Sequence, residues 1–355
     1  MTRSQGLVSG RQVGQLIREH RIAAGWTQRQ LADRAGLSIG FLRDLEQGRT
    51  LWPRWGSVEA LAGALGLGPG QRAGLISSTE SAAGGRWPAG NGPILPGGPA
   101  GSVQVGILGP LALTRAGRPV SLGPVRQRAV LAMLALEANR RVRISDLIEV
   151  LWPGRQPPTA VTMVQGYISG LRRLLEPEPM PRCAGEVVAR TGDGYQLRTE
   201  EACQVDLEEF SRLAQAGRDA MDHGQPGRAC ELFEGALSLC RGRTLDDIDL
   251  LLDQPAVVEV NIRRSDAVLR YGEAAAMIGA DDKALPHLQI LCASQRLNEV
   301  AFARLITALA ATGQRAQATV VFEELRLRLD SELGLLPSDH VIDAYSRIIT
   351  SKFSH

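Results

Sequence analysis

Polar or small residues that suit nucleic-acid contact recur between residues 159 and 175. They are Thr162, Gln165, Gly166, Ser169, Arg172 and Arg173. On a helix of 3.6 residues per turn these positions share one face about three turns long. Amide and hydroxyl groups pair with base edges in the major groove, and a guanidinium pairs with guanine or phosphate. The pattern predicts either a groove-reading helix or a solvated amphipathic helix.

The opposite face of the same segment is apolar. The three- and four-residue spacing of its large side chains aligns Val161, Val164, Ile168, Leu171 and Leu175. Such a stripe has to pack against a core. We therefore expect the segment to be one helix of a folded domain.

Residues 103–200 contain the elements that would position this helix. Alternating Val103, Val105 and Ile107, followed by LALT, RAGRP and VSL, predict a small antiparallel sheet. Helices are predicted from Pro124 to Asn139 and, capped by Ser145, up to Trp152. A hairpin is predicted over 186–198, around the turn TGDG. Strands, three helices and a terminal hairpin predict an α+β winged-helix domain.

Residues 1–77 predict a compact, five-helix unit. Apolar spacing indicates a helix over 10–24, and Thr27 with Gln30 forms a capping-box pattern at the start of the next. Ser38 would cap a third helix over 39–47, with two more over 60–65 and 69–76. Two helices joined by a short glycine-containing turn are typical of a helix-turn-helix domain.

Residues 78–102 predict a flexible linker. The segment contains seven glycines and four prolines in 25 residues, with few large apolar side chains. As a coil it would span roughly 25 to 30 Å, close to the ~34 Å of one DNA turn. The flanking domains could then occupy neighbouring sites on one duplex.

Residues 201–355 carry a spaced repeat. Each copy has Gly, then Ala five residues later, then a large apolar residue: Gly224, Ala229, Phe233; Gly279, Ala284, Leu288; Gly313, Ala318, Phe322. The last two copies are 34 residues apart, the tetratricopeptide period. Small alanines allow helices to approach closely, so the repeat predicts an all-α stack of helical hairpins with a protein-binding surface.

The charge of the chain is segregated. The net charge is only +2, yet residues 1–80 carry +4, 81–102 carry +1, 103–200 carry +5 and 201–355 carry −8. The first 200 residues would be attracted to a polyanion that the remainder would repel. No signal-peptide pattern or membrane-length apolar run is present, so we expect a cytoplasmic protein without membrane contact.

The sequence lacks the patterns of common catalytic, cofactor and metal sites. We find no phosphate-binding GxxxxGK[ST], no HExxH and no GxSxG motif, and the five histidines are scattered. The five cysteines never form CxxC and are predicted to be reduced packing residues. We therefore expect no enzyme activity, no cofactor and no metal.

The segment TQRQLADRAGLSIGFLRDLEQGRT resembles the xenobiotic-response-element family of helix-turn-helix domains. The DNA-binding positions that this resemblance implies are Gln28, Ser38, Ile39, Gly40 and Arg43. Ile39 and Gly40 stand where the family usually has polar residues. The module would therefore either read bases, with Ile39 against a thymine methyl, or serve for general DNA affinity or dimer contact.

The segments VGILGPLAL, LIEVLWPG, VQGYISGLRRLL and TGDGYQL resemble the OmpR-type winged helix of the Streptomyces antibiotic regulatory protein family. DLEEF, RACELFEGALSL, RGRTLDD and RLDSELGLLPSD resemble the bacterial transcriptional activation domain that accompanies it. The DNA-binding positions implied for the winged helix are Thr162, Gln165, Ser169, Arg172, Arg173, Arg126, Arg128, Arg190 and Tyr195. Thr162 stands where the family frequently has Arg or Lys.

The resemblance implies a mainly α protein with an N-terminal helix-turn-helix domain, a winged helix and a tetratricopeptide-like effector domain. It further implies an activator of secondary-metabolite genes that binds direct repeats in double-stranded DNA as a homodimer and recruits RNA polymerase holoenzyme. Two alternatives remain open: a repressor with the same DNA chemistry, and an adaptor whose DNA contacts only localise its acidic domain.

Overall fold

The computed structural model describes residues 9–35, 37, 39–47, 61–67, 94–95, 102–176, 187–199 and 203–350. The chain divides into two compact units, residues 1–86 and residues 87–355. Each unit has a hydrophobic core of its own.

The first unit contains helices α1 (Ser9–Ala23), α2 (Gln28–Ala35) and α3 (Ile39–Glu46), and residues 61–64 are also helical. The predicted capping box is confirmed, because the Thr27 N–H donates to Gln30 Oε1 and the Gln30 N–H donates to Thr27 Oγ1. Ile17, Leu31, Leu42, Leu45 and Leu61 are fully buried between these helices. The predicted cap Ser38 and the predicted helix over 69–76 lie outside the described residues.

The second unit begins with the predicted antiparallel sheet. Strand β1 (Val103–Gly106) pairs with β2 (Ala112–Arg115), which pairs with β3 (Arg118–Pro119). The register places Val105 opposite Leu113 and Gln104 opposite Thr114, so the apolar and polar pairs lie on opposite faces. All four side chains are buried.

A three-helix core with a second sheet follows. It comprises α4 (Val125–Leu136), β4 (Val142–Arg143), α5 (Ile144–Leu151), α6 (Ala160–Leu175), β5 (Val188–Thr191) and β6 (Gly194–Leu197). The strands are ordered β4, β6, β5 and are antiparallel. These are the helices and hairpin of a winged helix.

Two predicted helix ends differ in this region. α4 ends at Leu136, and Asn139 adopts a left-handed conformation with φ 63°, which Asn tolerates and a helix does not. α5 begins at Ile144 with Arg143 as the N-cap residue, so the predicted cap at Ser145 is wrong. The Ser145 hydroxyl instead donates to the Asp146 carboxylate.

A strand absent from the sequence prediction joins the winged helix to the next region. β7 (Cys203–Val205) pairs in parallel with β1, giving the first sheet the order β3, β2, β1, β7. The predicted domain boundary at residue 200 therefore lies just before a strand shared between the two regions.

The predicted linker also contributes to this unit at one point. Ile94 and Leu95 are 5% and 6% exposed and belong to the core of the second unit. The Leu95 N–H donates to Gln104 Oε1, and Gln104 Nε2 donates to the Leu95 carbonyl. These two residues of the predicted linker therefore pack into the core of the second unit.

The remainder is a stack of helices: α7 (Asp206–Asp222), α8 (Pro226–Ser238), α9 (Pro255–Met277), α10 (Asp281–Ser294), α11 (Glu299–Ala311), α12 (Arg315–Leu333) and α13 (Asp339–Thr350). The spaced repeat is confirmed. Its glycines, Gly224, Gly279 and Gly313, have φ of 68°, 69° and 79° in the turns between paired helices. Its alanines and large apolar residues are all buried.

Candidate nucleic-acid interface

Helix α6 has the two faces that the sequence predicts. Val164, Ile168, Leu171 and Leu175 are buried, and Ala160 extends this stripe to the first turn. Val161, predicted to join the stripe, is 47% exposed because Ala160 occupies the inward position of that turn. The helix is thereby fixed to the domain along its whole length.

The outer face of α6 presents small and hydrogen-bonding groups to solvent. Thr162, Gln165, Gly166, Ser169 and Arg173 are all exposed. A Cβ added at Gly166 would meet no atom within 4 Å, so this face is open. The Ser169 hydroxyl donates to the Gln165 carbonyl one turn earlier, which leaves its oxygen as an acceptor.

Arg172 differs from its neighbour Arg173. It is half-buried, and its Nε donates to the Val188 carbonyl at 3.0 Å. The Val188 N–H in turn donates to Glu176 Oε1 at 3.0 Å. The last turn of α6 therefore holds both polar backbone groups of the first wing residue. Arg172 positions the wing, a role that the sequence analysis missed.

The wing is the β5–β6 hairpin. Arg190 is exposed on it, as a phosphate contact requires. Tyr195, predicted to accompany Arg190 at the DNA, is only 4% exposed and packs in the core opposite Val142. The assignment of Tyr195 to the DNA surface is corrected accordingly, since its ring supports the sheet from inside.

The two predicted arginines of α4 have partners within the chain. The exposed Arg126 donates from Nε to the Leu151 carbonyl at 3.4 Å and lies over the Trp152 ring, 5.4 Å from its centroid. Arg128 is half-buried and forms an ion pair with Asp247. A phosphate would have to compete with that carboxylate for Arg128.

Other exposed arginines of the winged helix were not singled out from the sequence. They are Arg118, Arg140, Arg141, Arg143, Arg155 and Arg198. Arg143 precedes α5, and Arg155 lies in the segment between α5 and α6. The net charge of +5 over 103–200 was the available signal for them, but charge counts do not show which side chains face solvent.

The first unit presents a smaller candidate surface. Ile39, Gly40 and Arg43 are exposed on α3, with 42% of Ile39 accessible. Gln28 instead donates from Nε2 to Glu46 Oε2 at 2.8 Å, inside the domain. Its side chain is thus occupied by a structural contact, and Ser38 lies outside the described residues.

Glu46 is the centre of a buried polar network. Arg21 donates to both of its oxygens, at 2.6 and 2.8 Å, and Arg21 also donates to the Trp26 carbonyl. Burial acts to raise the pKa of Glu46, but hydrogen bonds from Arg21 and Gln28 and the charges of Arg21 and Arg18 hold the pKa below its usual value of 4.5. The network ties the end of α3 to α1 and α2.

The cysteines within the described part of the chain are buried and unpaired: Cys203, Cys230, Cys240 and Cys292. Burial raises the pKa of the Cys203 and Cys292 thiols to about 12, so both are protonated at neutral pH. Cys183 lies outside the described residues. Among the described residues, no group of three or more His, Cys, Asp or Glu side chains is arranged to hold a metal ion.

Within the described ranges, no helix is both long and apolar enough to cross a membrane.

Comparison with protein families identifies two regions. Residues 205–349 match the bacterial transcriptional activator domain, and residues 12–75 match a helix-turn-helix domain. The first match begins at the last residue of β7, and the second covers α2 and α3 completely.

Comparison with characterised proteins finds transcriptional regulators. The transcriptional regulator RedD of Streptomyces coelicolor is 31% identical over 240 residues, which cover 67% of this chain and 67% of RedD. The regulatory protein DnrI of Streptomyces peucetius is 30% identical over 246 residues, which cover 66% of this chain and 88% of DnrI.

A solved structure shares the fold of most of this chain. Mycobacterium tuberculosis EmbR, in complex with a low-affinity phosphopeptide, superposes with a TM-score of 0.60 at 29% sequence identity. The superposition covers 70% of this chain and 65% of the EmbR chain.

Proposed function

We propose that this chain, which belongs to the Streptomyces antibiotic regulatory protein family of transcriptional regulators, activates transcription by reading operator DNA with helix α6. The observation that carries the proposal is the exposed face of α6, with Gln165, Ser169 and Arg173 on a helix that is buried along its opposite side. In a winged helix, the third helix is the element that enters the major groove.

Burial and charge indicate which exposed side chains would contact bases and which would contact phosphates. Gln165 and Thr162 would contact base edges, while Arg173 and Arg190 would contact phosphates. Arg143 and Arg155 add exposed cations outside α6 and the wing. Because Gly166 has no Cβ, the helix backbone could approach the bases closely at this position. Thr162 is the position at which base preference should differ from relatives with a basic residue.

The partners belong to the same proposal. We infer that the chain binds direct repeats in double-stranded DNA as a homodimer in the cytoplasm, and that its helical effector domain contacts RNA polymerase holoenzyme. The acidic character of residues 201–355, with a net charge of −8, favours contact with a protein over contact with DNA. The genes controlled would be those of a secondary-metabolite pathway, as the relation to regulators of this family suggests.

Run-off transcription tests the direction of regulation. Purified polymerase and a promoter bound by the full chain should give more transcript with the protein than without it. A repressor would lower run-off from the same template, and an adaptor without effect on polymerase would leave it unchanged. Either result would contradict activation.

The contribution of the helix-turn-helix unit is tested by deletion. Residues 94–95 are anchored on the winged-helix sheet. The tether between the two DNA-binding modules is therefore shorter than the linker predicted over residues 78–102. Removing residues 1–80 should shorten the footprint on the operator and weaken binding, because two linked modules raise each other's local concentration. An unchanged footprint would show that this unit does not read the operator.

A further inference from the structure

The loop that follows α8 contains the motif RGRTLDD, residues 241–247, which the reading of DNA does not explain. This loop belongs to the effector region, yet it binds the segment Ile107–Leu111 at the start of the winged-helix region. The Arg241 N–H donates to the Leu108 carbonyl at 2.7 Å, and the Leu245 N–H donates to the Gly109 carbonyl at 2.8 Å. Arg241 Nη1 also donates to the Pro110 carbonyl at 3.2 Å. Consecutive carbonyls of one region are thus held by the other.

The N–H groups of the same segment are held by two carboxylates of the effector region. Asp206, at the start of α7, is 0% exposed and accepts from the Ile107 and Leu108 N–H groups at 2.9 to 3.0 Å. Asp247 Oδ1 accepts from the Leu111 N–H at 2.8 Å. Burial raises the pKa of Asp206, while Arg241 and the two backbone N–H groups oppose that rise by favouring the carboxylate.

Side chains of α9 hold the loop in place through hydrogen bonds. Arg264 donates to the Gly242 carbonyl at 2.7 Å and to Thr244 Oγ1 at 2.9 Å, and the Thr244 hydroxyl donates to Asn261 Oδ1 at 2.8 Å. Thr244 and Leu245 are 1% and 0% exposed. The loop is therefore an ordered part of the helical stack, and it presents its polar groups in a fixed arrangement.

Asp247 also contacts the first helix of the winged helix, α4. Its second oxygen, Oδ2, forms an ion pair with Arg128 on α4. α4 packs directly on α6, and both helices share one continuous core. One carboxylate of the effector region thus touches both the β1–β2 segment and the first helix of the winged helix.

We propose that the loop 241–247 is a coupling element that fixes the recognition helix in one orientation relative to the effector surface, with Asp247 as its positioning residue. This inference rests on the proposed activator function. A polymerase-contacting surface has to be held at a defined place relative to the operator, and a chain whose two regions move independently would bind DNA without presenting that surface.

The substitution Asp247→Asn tests the proposal in the full chain. Asparagine keeps an acceptor for the Leu111 N–H and removes the charge that pairs with Arg128. We expect amide exchange in residues 107–111 to be faster by about tenfold, because the local opening free energy falls. Run-off transcription should fall several-fold, while operator affinity weakens by no more than about twofold because no proposed DNA contact is lost.

The matched control is Glu209→Gln. It also removes one acidic charge from the effector region, but its partner Arg212 lies three residues away on α7 itself and not in the winged-helix region. It should leave amide exchange in 107–111, operator affinity and run-off unchanged. Should Asp247→Asn fold poorly, Asp247→Glu keeps the charge and displaces the carboxylate by one methylene, and the same three readouts are taken.

The outcomes separate this proposal from the proposed function. Unchanged exchange in 107–111, or faster exchange with undiminished run-off, would overturn the coupling role of the loop. Equal losses of operator affinity and run-off would also overturn it, since that result assigns Asp247 to DNA binding. A wild-type chain that binds its operator but does not raise run-off would contradict the activator function itself, whatever the variant does.

Discussion

Gln165 is the side chain through which the proposed readout of sequence is tested most simply. It is exposed at the middle of α6 and is not needed to hold the helix in place. Gln165→Ala should cost ~1 to 3 kcal/mol of binding free energy, mainly at one base pair. Dissociation constants measured over a panel of single-base substitutions check this. Equal losses at every position would rule out base reading by Gln165.

Arg173 and Arg172 are adjacent, yet the structure gives them different tasks. Arg173→Ala should weaken binding to all sequences and reduce the log–log salt slope by about one, because one phosphate contact is lost. Arg172→Ala should also weaken binding to all sequences, but through a wing released from α6, since Arg172 Nε holds the Val188 carbonyl. Kd measured against salt for both variants distinguishes the loss of a phosphate contact from the release of the wing. A salt slope unchanged in Arg173→Ala would contradict the phosphate contact.

The Glu46 network predicts how the first unit responds to acid. Because the pKa of Glu46 is lower in the folded state than its usual 4.5, its contribution to stability is present above that value. It is lost as the pH falls through the lower, folded-state pKa. In the wild type, amide protection factors in α1 and α2 should therefore decrease as the pH falls below 4.5. They should fall less steeply in Glu46→Gln, whose side chain does not titrate there, and parallel profiles would contradict the network.

The α7–α8 hairpin shows how closely the first repeat is packed. A Cβ added at Gly217 would lie 2.9 Å from the buried ring of Phe233, whereas a Cβ at Gly235 would make ordinary contact at 3.6 Å with Leu213. Gly217→Ala should destabilise the protein by ~1 to 3 kcal/mol through overpacking. Gly235→Ala should be neutral or stabilising by up to ~1 kcal/mol, because alanine is the better helix former.

Urea unfolding of both variants, followed by far-ultraviolet circular dichroism, measures the difference. The two substitutions add the same methyl group to opposite helices of one hairpin, so each serves as the control for the other. Equal midpoints would show that Phe233 can move aside and that the packing at Gly217 is not tight.

Periodicity in the sequence was sufficient to predict α1 to α3 of the first unit and the three helices of the winged helix, because each helix buries one stripe. The Thr27–Gln30 capping box and the glycine–alanine spacing of the repeat were also readable, since each depends on residues close in sequence. β7 could not be predicted from the sequence, because a three-residue strand is too short to show an alternating pattern and its partner β1 lies about a hundred residues earlier. Contacts between distant segments leave no local pattern.

The candidate interface, likewise, could be predicted from the sequence only in part. The sequence places Gln165, Ser169 and Arg173 on one face, and the structure exposes all three. It could not show that Arg172 and Arg128 bind partners within the chain or that Tyr195 faces inward, because those facts depend on the wing and on the loop 241–247. Helical spacing separates two faces of an element, whereas tertiary contacts decide which polar groups remain available.

The second unit combines a basic winged-helix region, residues 103–200, with an acidic helical region, residues 201–355, and the two regions share one sheet and one core. The sheet is completed by β7 from the chain beyond the wing, and the carboxylates of Asp206 and Asp247 hold the segment 107–111. The second unit is thus built to hold helix α6 and the stack of helices α7 to α13 together. The proposed function as a DNA-reading activator requires that the chain bind one DNA sequence in strong preference to others.

The affinity of the full chain for duplex DNA, measured between about 50 and 200 mM salt, tests this requirement most directly. The two duplexes compared are an operator selected from a random pool and a scrambled sequence of equal length. We expect a steep negative log–log slope and an operator preference of about a thousandfold or more. A flat slope, or similar affinities for the two duplexes, would contradict the proposed function.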